Sequence, residues 1–299
     1  MERYSFVKDN PTQAVLNRII DNLLSEYNFL NHSVIGKSLC GRDIRSLQLG
    51  NPDRMVFLNG AHHGTEWITA LLLLKFVNKM CEHIKLNKKF CGIDISACLK
   101  KAGVMIVPCV NSDGVEISLI GSSAACEYSE LVKKIDNTSA WKANARGVDL
   151  NHNYNAGWYE LHRLEQESGI TGPSYTRYGG IAPESESETQ AVTRLCRENY
   201  FTHALAFHSQ GEEIYWHYGE NTPENSEVMA KIFAISSGYE MSRPEGLAIG
   251  GGFKDWFIKE FHRPAFTIEI GLGQNPLPFS DLNKVYKKLE KMLFISILM

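Results

Sequence analysis

Three side chains of this sequence could bind a catalytic metal ion, and a fourth could act as its general base. His63 and Glu66 stand three residues apart, a spacing that puts two side chains on one face of a helical turn. His208 follows Glu66 by 142 residues and offers a second imidazole. A catalytic zinc ion needs three protein ligands and an open fourth position. These residues therefore predict a hydrolytic metal centre with the carboxylate of Glu269 beside it.

The elements that must position these residues alternate between short apolar strands and helices. His63 and Glu66 follow the first of four predicted strands, His208 follows the third, and Glu269 ends the fourth. Strands that alternate with helices predict a mixed, mostly parallel sheet covered on both faces, and such sheets bind ligands at the carboxyl ends of their strands. The predicted strands span residues 55–58, 104–107, 204–207 and 265–268, a turn spans 111–114, and the predicted helices span 11–27, 68–80, 186–200, 224–237 and 281–293.

Five motifs in the same order resemble those of the carboxypeptidase-A-like zinc metallopeptidases. Gly-Ala-His-His-Gly-Thr-Glu-Trp at residues 60–67 resembles the zinc motif of that family, and Asn-Ser-Asp-Gly at 111–114 resembles a family turn. Gly-Val-Asp-Leu-Asn at 147–151 resembles a substrate-binding segment, Phe-His-Ser at 207–209 the strand of the third ligand, and Phe-Thr-Ile-Glu at 266–269 the strand of the catalytic glutamate. The resemblance implies one α/β/α catalytic domain over residues 1–299.

The resemblance also implies which residues bind the metal and what reaction follows. It assigns one zinc ion per chain to His63, Glu66 and His208, with His63 rather than its neighbour His62 as the first ligand. Asp149 matches the aspartate that accepts a hydrogen bond from that histidine and so fixes its tautomer. The expected reaction is amide hydrolysis by a zinc-activated water, with Glu269 as general base.

The developing oxyanion needs a fixed positive charge, which an arginine supplies in the family. The closest positional match is Lys142, and Arg146 is the alternative. We expect Arg146 to act, because a guanidinium offers a rigid fork of donors that lysine lacks, and Lys142 stays open.

Departures from the family pattern predict an unusual substrate. Where the exopeptidases bind a terminal carboxylate with an Asn-Arg pair, this sequence has Asn151 and His152, and Leu247 replaces an expected tyrosine. Three segments, at residues 141–144, 252–256 and 273–278, resemble the bacterial γ-D-glutamyl-meso-diaminopimelate peptidases, which cut peptidoglycan stem peptides. Lys254 could then pair with the side-chain carboxylate of diaminopimelate.

Three other functions remain open from the sequence. They are a metallocarboxypeptidase acting on ordinary peptides, a related deacylase of N-acyl amino acids, and an inactive binder of wall peptides. The last is disfavoured because the three ligands and the base are all present.

Composition and charge favour a soluble cytoplasmic enzyme without a nucleic-acid or membrane partner. The net charge is -3. The sequence has seven cysteines, an odd number, and no two of them stand in a CxxC pattern, which fits a reducing compartment. No apolar stretch near the start resembles a signal peptide. We expect a peptide or muropeptide substrate and no required protein partner.

Overall fold

The computed structural model describes residues 10–299, in which strands and helices alternate along most of the chain. The strands are β1 (Asn31–Lys37), β2 (Asp43–Gly50), β3 (Met55–Gly60), β4 (Lys89–Phe90), β5 (Ile93–Asp94), β6 (Gly103–Val107), β7 (Phe201–His208), β8 (Glu213–Tyr215), β9 (Glu240–Ser242) and β10 (Ala265–Glu269). The helices are α1 (Gln13–Glu26), α2 (Ile68–Lys85), α3 (Ile95–Leu99), α4 (Ser112–Ile120), α5 (Ser129–Ile135), α6 (Trp158–Glu167), α7 (Ser187–Glu198), α8 (Ser226–Ser237), α9 (Phe253–Phe261) and α10 (Leu282–Leu298).

Eight strands form one sheet in the order β1-β2-β6-β3-β7-β10-β8-β9, and β4 with β5 forms a separate pair. The four central strands β6, β3, β7 and β10 run parallel to one another, whereas β2 and β8 join them antiparallel on either side. Helices cover both faces of this sheet. The predicted α/β/α architecture with a mixed, mostly parallel sheet is therefore confirmed.

Alternating side chains of the central strands supply two separate cores. Val56 and Leu58 of β3 belong to a cluster that includes side chains of α1, α2, α8 and α10. Met55 and Phe57 of the same strand belong to the cluster on the other face, with α7 and α9. This division follows from the period of two residues in a strand, and it requires both faces of a parallel sheet to be covered.

The structure corrects several predicted boundaries. Helix α1 begins at Gln13 with Thr12 as its N-cap, not at residue 11 as predicted, because the Thr12 side chain accepts from the backbone N–H of Val15. Residues 111–114 begin helix α4 and do not form a free turn, because the Asn111 side chain caps that helix by accepting from Gly114. Strands β1 and β2 at one side of the sheet, β8 and β9 at the other, and helices α4, α5, α6 and α9 were not predicted.

None of the helices within residues 10–299 has both the length and the apolar character needed to cross a membrane.

A buried carboxyl away from the site makes stability depend on pH. Burial, with the charge of Asp113 as the next cause, raises the pKa of Glu188 in α7 to about 7 from a usual value of 4.5. The folded chain therefore keeps a proton that the unfolded chain releases, so stability falls as pH rises between these two values.

We expect Glu188→Gln to remove this pH dependence. The free energy of unfolding of the parent should drop, relative to the variant, by on the order of 2 kcal/mol between pH 5 and pH 8. Urea unfolding at several pH values measures it, with Glu198→Gln at the exposed end of α7 as the matched control. A parent-to-variant difference that does not change with pH would contradict the prediction.

Candidate metal centre and active-site cleft

The carboxyl ends of three neighbouring parallel strands place the predicted ligands and base together. His63 follows β3, and Glu66 ends a short 3₁₀ turn, Gly64–Glu66, before α2. His208 is the last residue of β7 and Glu269 the last of β10, and their Cα atoms are direct partners in the sheet register. The sheet therefore fixes the metal group and the base relative to each other.

His63, Glu66 and His208 converge on one point with their carboxylate and imidazole atoms. Nδ1 of His63 lies 2.8 Å from Oε1 of Glu66, and Nδ1 of His208 lies 3.1 Å from Oε2 of the same carboxylate. One ligand atom from each residue falls within 4.8 Å of the others, and all three side chains are buried. Two imidazole nitrogens and a carboxylate are the donor set that a catalytic zinc site uses.

The tautomer of His63 agrees with a metal at its Nδ1 atom. A ligating nitrogen must carry no proton, so a neutral imidazole has to hold its proton on Nε2. That atom lies 3.0 Å from Oδ1 of the buried Asp149, an acceptor in the required position. The donor set therefore fits zinc, and Asp149 makes the contact that the sequence predicted for it.

The turn that carries the ligands is held by tight backbone contacts. A Cβ on Gly64 would lie 2.2 Å from the carbonyl oxygen of Gly114, so only glycine fits there. The N–H groups of Gly64 and Thr65 donate to the carbonyls of Lys142 and Trp141. These bonds bring residues 141–142 against the metal centre.

Of the two candidates for oxyanion stabilisation, the structure brings Lys142 to the site. Its Nζ atom lies 3.1 Å from Oε1 of Glu66, and the residue lines the cleft. Arg146 does not line the cleft, because its guanidinium pairs with Glu186 at 2.8 Å and donates to the carbonyl of Ser185. The structure therefore places Lys142, and not Arg146, beside the group that could hold the metal.

The other predicted substrate-binding residues separate in the same way. Asn151 and His152 line the cleft. Lys254 does not, because its ammonium forms a buried ion pair with Asp255 and donates to the carbonyl of His217 at 2.8 Å. Its predicted contact with a substrate carboxylate is therefore not supported by its position.

The sequence did not point to several residues of the site, of which four stand out. Asn275 donates through Nδ2 to the carbonyl of Ser209 at 2.6 Å, next to Glu66. Arg177 and Glu245 line the cleft from loops, and Tyr215 lines it from strand β8. Asn275 lies in a segment that resembles the muropeptide-cleaving group, which was an available signal, whereas no motif pointed to the other three.

The resulting cleft has a volume of about 550 Å³ and contains both the metal group and Glu269. Burial, followed by the charge of Glu66, raises the pKa of Glu269 to about 8. A carboxyl with a raised pKa takes up and releases a proton near neutral pH, as a general base must.

His62 lies outside the ligand set because its Nε2 atom is 2.9 Å from the hydroxyl of Tyr154 in the interior.

A metal group of two imidazoles and a carboxylate, with a glutamate beside it at the carboxyl edge of an α/β/α sheet, defines a metal-dependent hydrolase. The chain belongs to the zinc carboxypeptidase family, whose model matches residues 16–291. It is accordingly a zinc peptidase, and His63, Glu66 and His208 form the group that could hold the metal.

Two sequence relatives and one solved structure are similar to this chain. An uncharacterised Bacillus subtilis protein, YqgT, is 33% identical over 98% of this chain and 78% of its own length. Gamma-D-glutamyl-L-diamino acid endopeptidase 1 of Lysinibacillus sphaericus is 32% identical over 94% of this chain and 70% of its own. Bovine thrombin-activatable fibrinolysis inhibitor is 20% identical, with a TM-score of 0.75 over 96% of this chain and 95% of that one, which shows the shared fold.

We expect Asp149→Asn to weaken zinc binding by about 10- to 100-fold, because a neutral amide polarises His63 less than a carboxylate does. Competition with a chromophoric chelator measures the Kd for zinc. Glu269→Gln is the matched control, since it changes a carboxylate of the same cleft that is not a ligand. An unchanged Kd in Asp149→Asn would contradict this role for Asp149.

Proposed function

We propose that this zinc peptidase hydrolyses the amide bond between γ-D-glutamate and meso-diaminopimelate in peptidoglycan stem peptides. The observation that carries the proposal is the 32% identity, over 94% of the chain, to a relative named as a γ-D-glutamyl-L-diamino acid endopeptidase. The complete donor set and the adjacent Glu269 are what such a reaction requires.

The residues of the cleft have separate tasks in this proposal. Zinc, when bound, acts as a Lewis acid and lowers the pKa of a coordinated water. Glu269 takes the proton of the attacking water and delivers it to the departing amine. Lys142 lies beside Glu66 with its ammonium in the cleft, and it stabilises the negative charge that develops on the scissile carbonyl oxygen.

The test compares the stem peptide with an ordinary peptide. Zinc-loaded protein is incubated with L-Ala-γ-D-Glu-meso-diaminopimelate and, separately, with an ordinary peptide that has a free C-terminus. The amino acids released from each are quantified. Release of diaminopimelate supports the proposal. Cleavage of the ordinary peptide alone would replace it with a metallocarboxypeptidase.

Glu269→Gln should lose about 10²- to 10⁴-fold in kcat while it keeps one zinc per chain, because the amide cannot accept the proton. Single-turnover assays with parallel metal analysis measure both quantities. Glu245→Gln, which alters another carboxylate that lines the cleft, is the matched control. Retained kcat in Glu269→Gln would show that Glu269 is not the base.

Lys142→Met should lower kcat per bound zinc by about 10²- to 10³-fold, the usual effect of losing a group that stabilises an oxyanion. Arg146→Met should leave kcat nearly unchanged, because Arg146 is paired with Glu186 outside the cleft. Steady-state kinetics, normalised to zinc content, separate the two residues. The reverse pattern would restore Arg146 as the oxyanion-stabilising residue.

A further inference from the structure

The positive charges near the cleft differ in whether they already have a partner. Lys142 contacts Glu66, Arg146 contacts Glu186, and Lys254 contacts Asp255. Arg177 lines the cleft, and within residues 10–299 its guanidinium makes no ion pair or hydrogen bond. An arginine without a partner in a binding cleft is available for an anion.

Asp149 fixes the backbone that carries Arg177. Oδ2 of Asp149 accepts from the N–H of Arg177 at 2.9 Å, and the N–H of Asp149 donates to the carbonyl of Tyr178 at 2.7 Å. Arg177 has a φ of 64°, in the left-handed region that few residues other than glycine adopt. The two hydrogen bonds to Asp149 hold the chain at this residue, so the start of the Arg177 side chain has a defined position.

The same carboxylate brings Asn151 next to this arginine. Oδ1 of Asp149 accepts from the N–H of Asn151 at 3.2 Å, so the two residues are attached to the two oxygens of one carboxylate. Oδ1 of Asn151 accepts from the N–H of Phe253 at 3.0 Å, which orients the amide. Across the described chain, the Nδ2 donor of Asn151 has no hydrogen-bond partner.

His152 is less suited to hold an anion, although it also lines the cleft. Its Nδ1 atom lies 2.7 Å from Oε1 of Glu165, a carboxylate with no exposed surface. Glu165 also accepts from the N–H of Gly179. This contact engages one ring nitrogen of His152 and adds a negative charge behind the ring.

We propose that Arg177 and Asn151 together bind a carboxylate of the substrate, with the guanidinium of Arg177 as the main donor. A guanidinium binds a carboxylate through two parallel hydrogen bonds, and the Nδ2 donor of Asn151 adds a third. Glu245 also lines the cleft, but no ion pair joins it to Arg177 in the described part of the chain. The substrate class is therefore a peptide with a free carboxylate on the residue next to the cut.

This inference rests on the proposed function only for the identity of that residue. If the released residue is diaminopimelate, one of its two carboxylates is the group bound. If ordinary peptides are cleaved, the group is the carboxylate of their released residue.

The test measures binding, so that it does not depend on turnover. Zinc-loaded Glu269→Gln protein is titrated calorimetrically with L-Ala-γ-D-Glu-meso-diaminopimelate, with its diaminopimelate diamide, and with a standard C-terminal peptide as free acid and as amide. The four ligands are then titrated against the same protein with Arg177→Gln added. Arg163→Gln, at an exposed arginine of α6 outside the cleft lining, is the matched control.

We expect a free carboxylate to improve Kd by about 10- to 100-fold over the amide, the effect of a charged hydrogen-bonded pair. Arg177→Gln should abolish this difference, and Arg163→Gln should preserve it. Equal Kd values for acid and amide in the Glu269→Gln protein, including no binding by either, would overturn the inference. So would a difference that persists in Arg177→Gln. Preference for the standard acid over the stem peptide would instead reject the proposed substrate and leave the role of Arg177 intact.

Discussion

The buried carboxylate of Asp149 is the contact on which the geometry of the site depends. Its Oδ1 atom accepts from the backbone of Asn151 and lies 3.0 Å from the ring of His63, and its Oδ2 atom accepts from the backbone of Arg177. A charged group that is removed from water is unfavourable unless polar partners surround it. The partners of Asp149 are His63, which belongs to the group that could hold the metal, and two residues that line the cleft. The same interactions that make its burial tolerable therefore also assemble the site.

Glu66 has a comparable position at the metal group. Its carboxylate contacts both histidines of the group that could hold the metal, the ammonium of Lys142 and the backbone N–H of Ser209. Loss of any one partner would leave a buried charge partly unsatisfied, which is why substitutions here are expected to disturb metal binding and folding together. A buried cluster of charged and polar groups is favourable only when each group has its correct partner. The central sheet matters for the chemistry because its rigidity keeps these partners in position.

The sheet contributes this rigidity through its parallel core. Strands β3, β7 and β10 end at the same edge, and their buried side chains pack against helices on both faces. A shift of one residue in the pairing would move His208 away from Glu269 and turn alternate apolar side chains to the wrong core. The register that is stable for packing is therefore also the register that aligns His208 with Glu269.

Much of the fold was predictable because the central elements are strongly apolar and periodic. The four core strands and helices α1, α2, α7, α8 and α10 were recognised from the sequence, with differences of a few residues at their ends. The edge strands were missed because they are short or half-exposed, so their residues lack a clear pattern; β1, for example, has no fully buried residue. The start of helix α4 reads as a turn in the sequence because Asn111 and Gly114 are common in both turns and helix starts, and only the capping contact distinguishes them.

The sequence by itself determined the class of chemistry, because the types, spacing and order of His63, Glu66, His208 and Glu269 form a recognisable motif. The motif can be read without the structure because each of these residues lies within a few positions of a strand end. Only the tertiary structure decided which cations face the substrate. The sequence favours Arg146 over Lys142, offers Lys254 as a substrate contact and gives no signal for Arg177. It does not show which buried acid a long flexible side chain reaches. Glu186 and Asp255 withdraw two of these cations, Glu66 holds a third in the cleft, and Arg177 alone of these four stays without a partner in the described chain. Glu66 and Glu186 are distant in sequence from Lys142 and Arg146. Asp255 is adjacent to Lys254, but only the packed fold buries that pair away from the cleft.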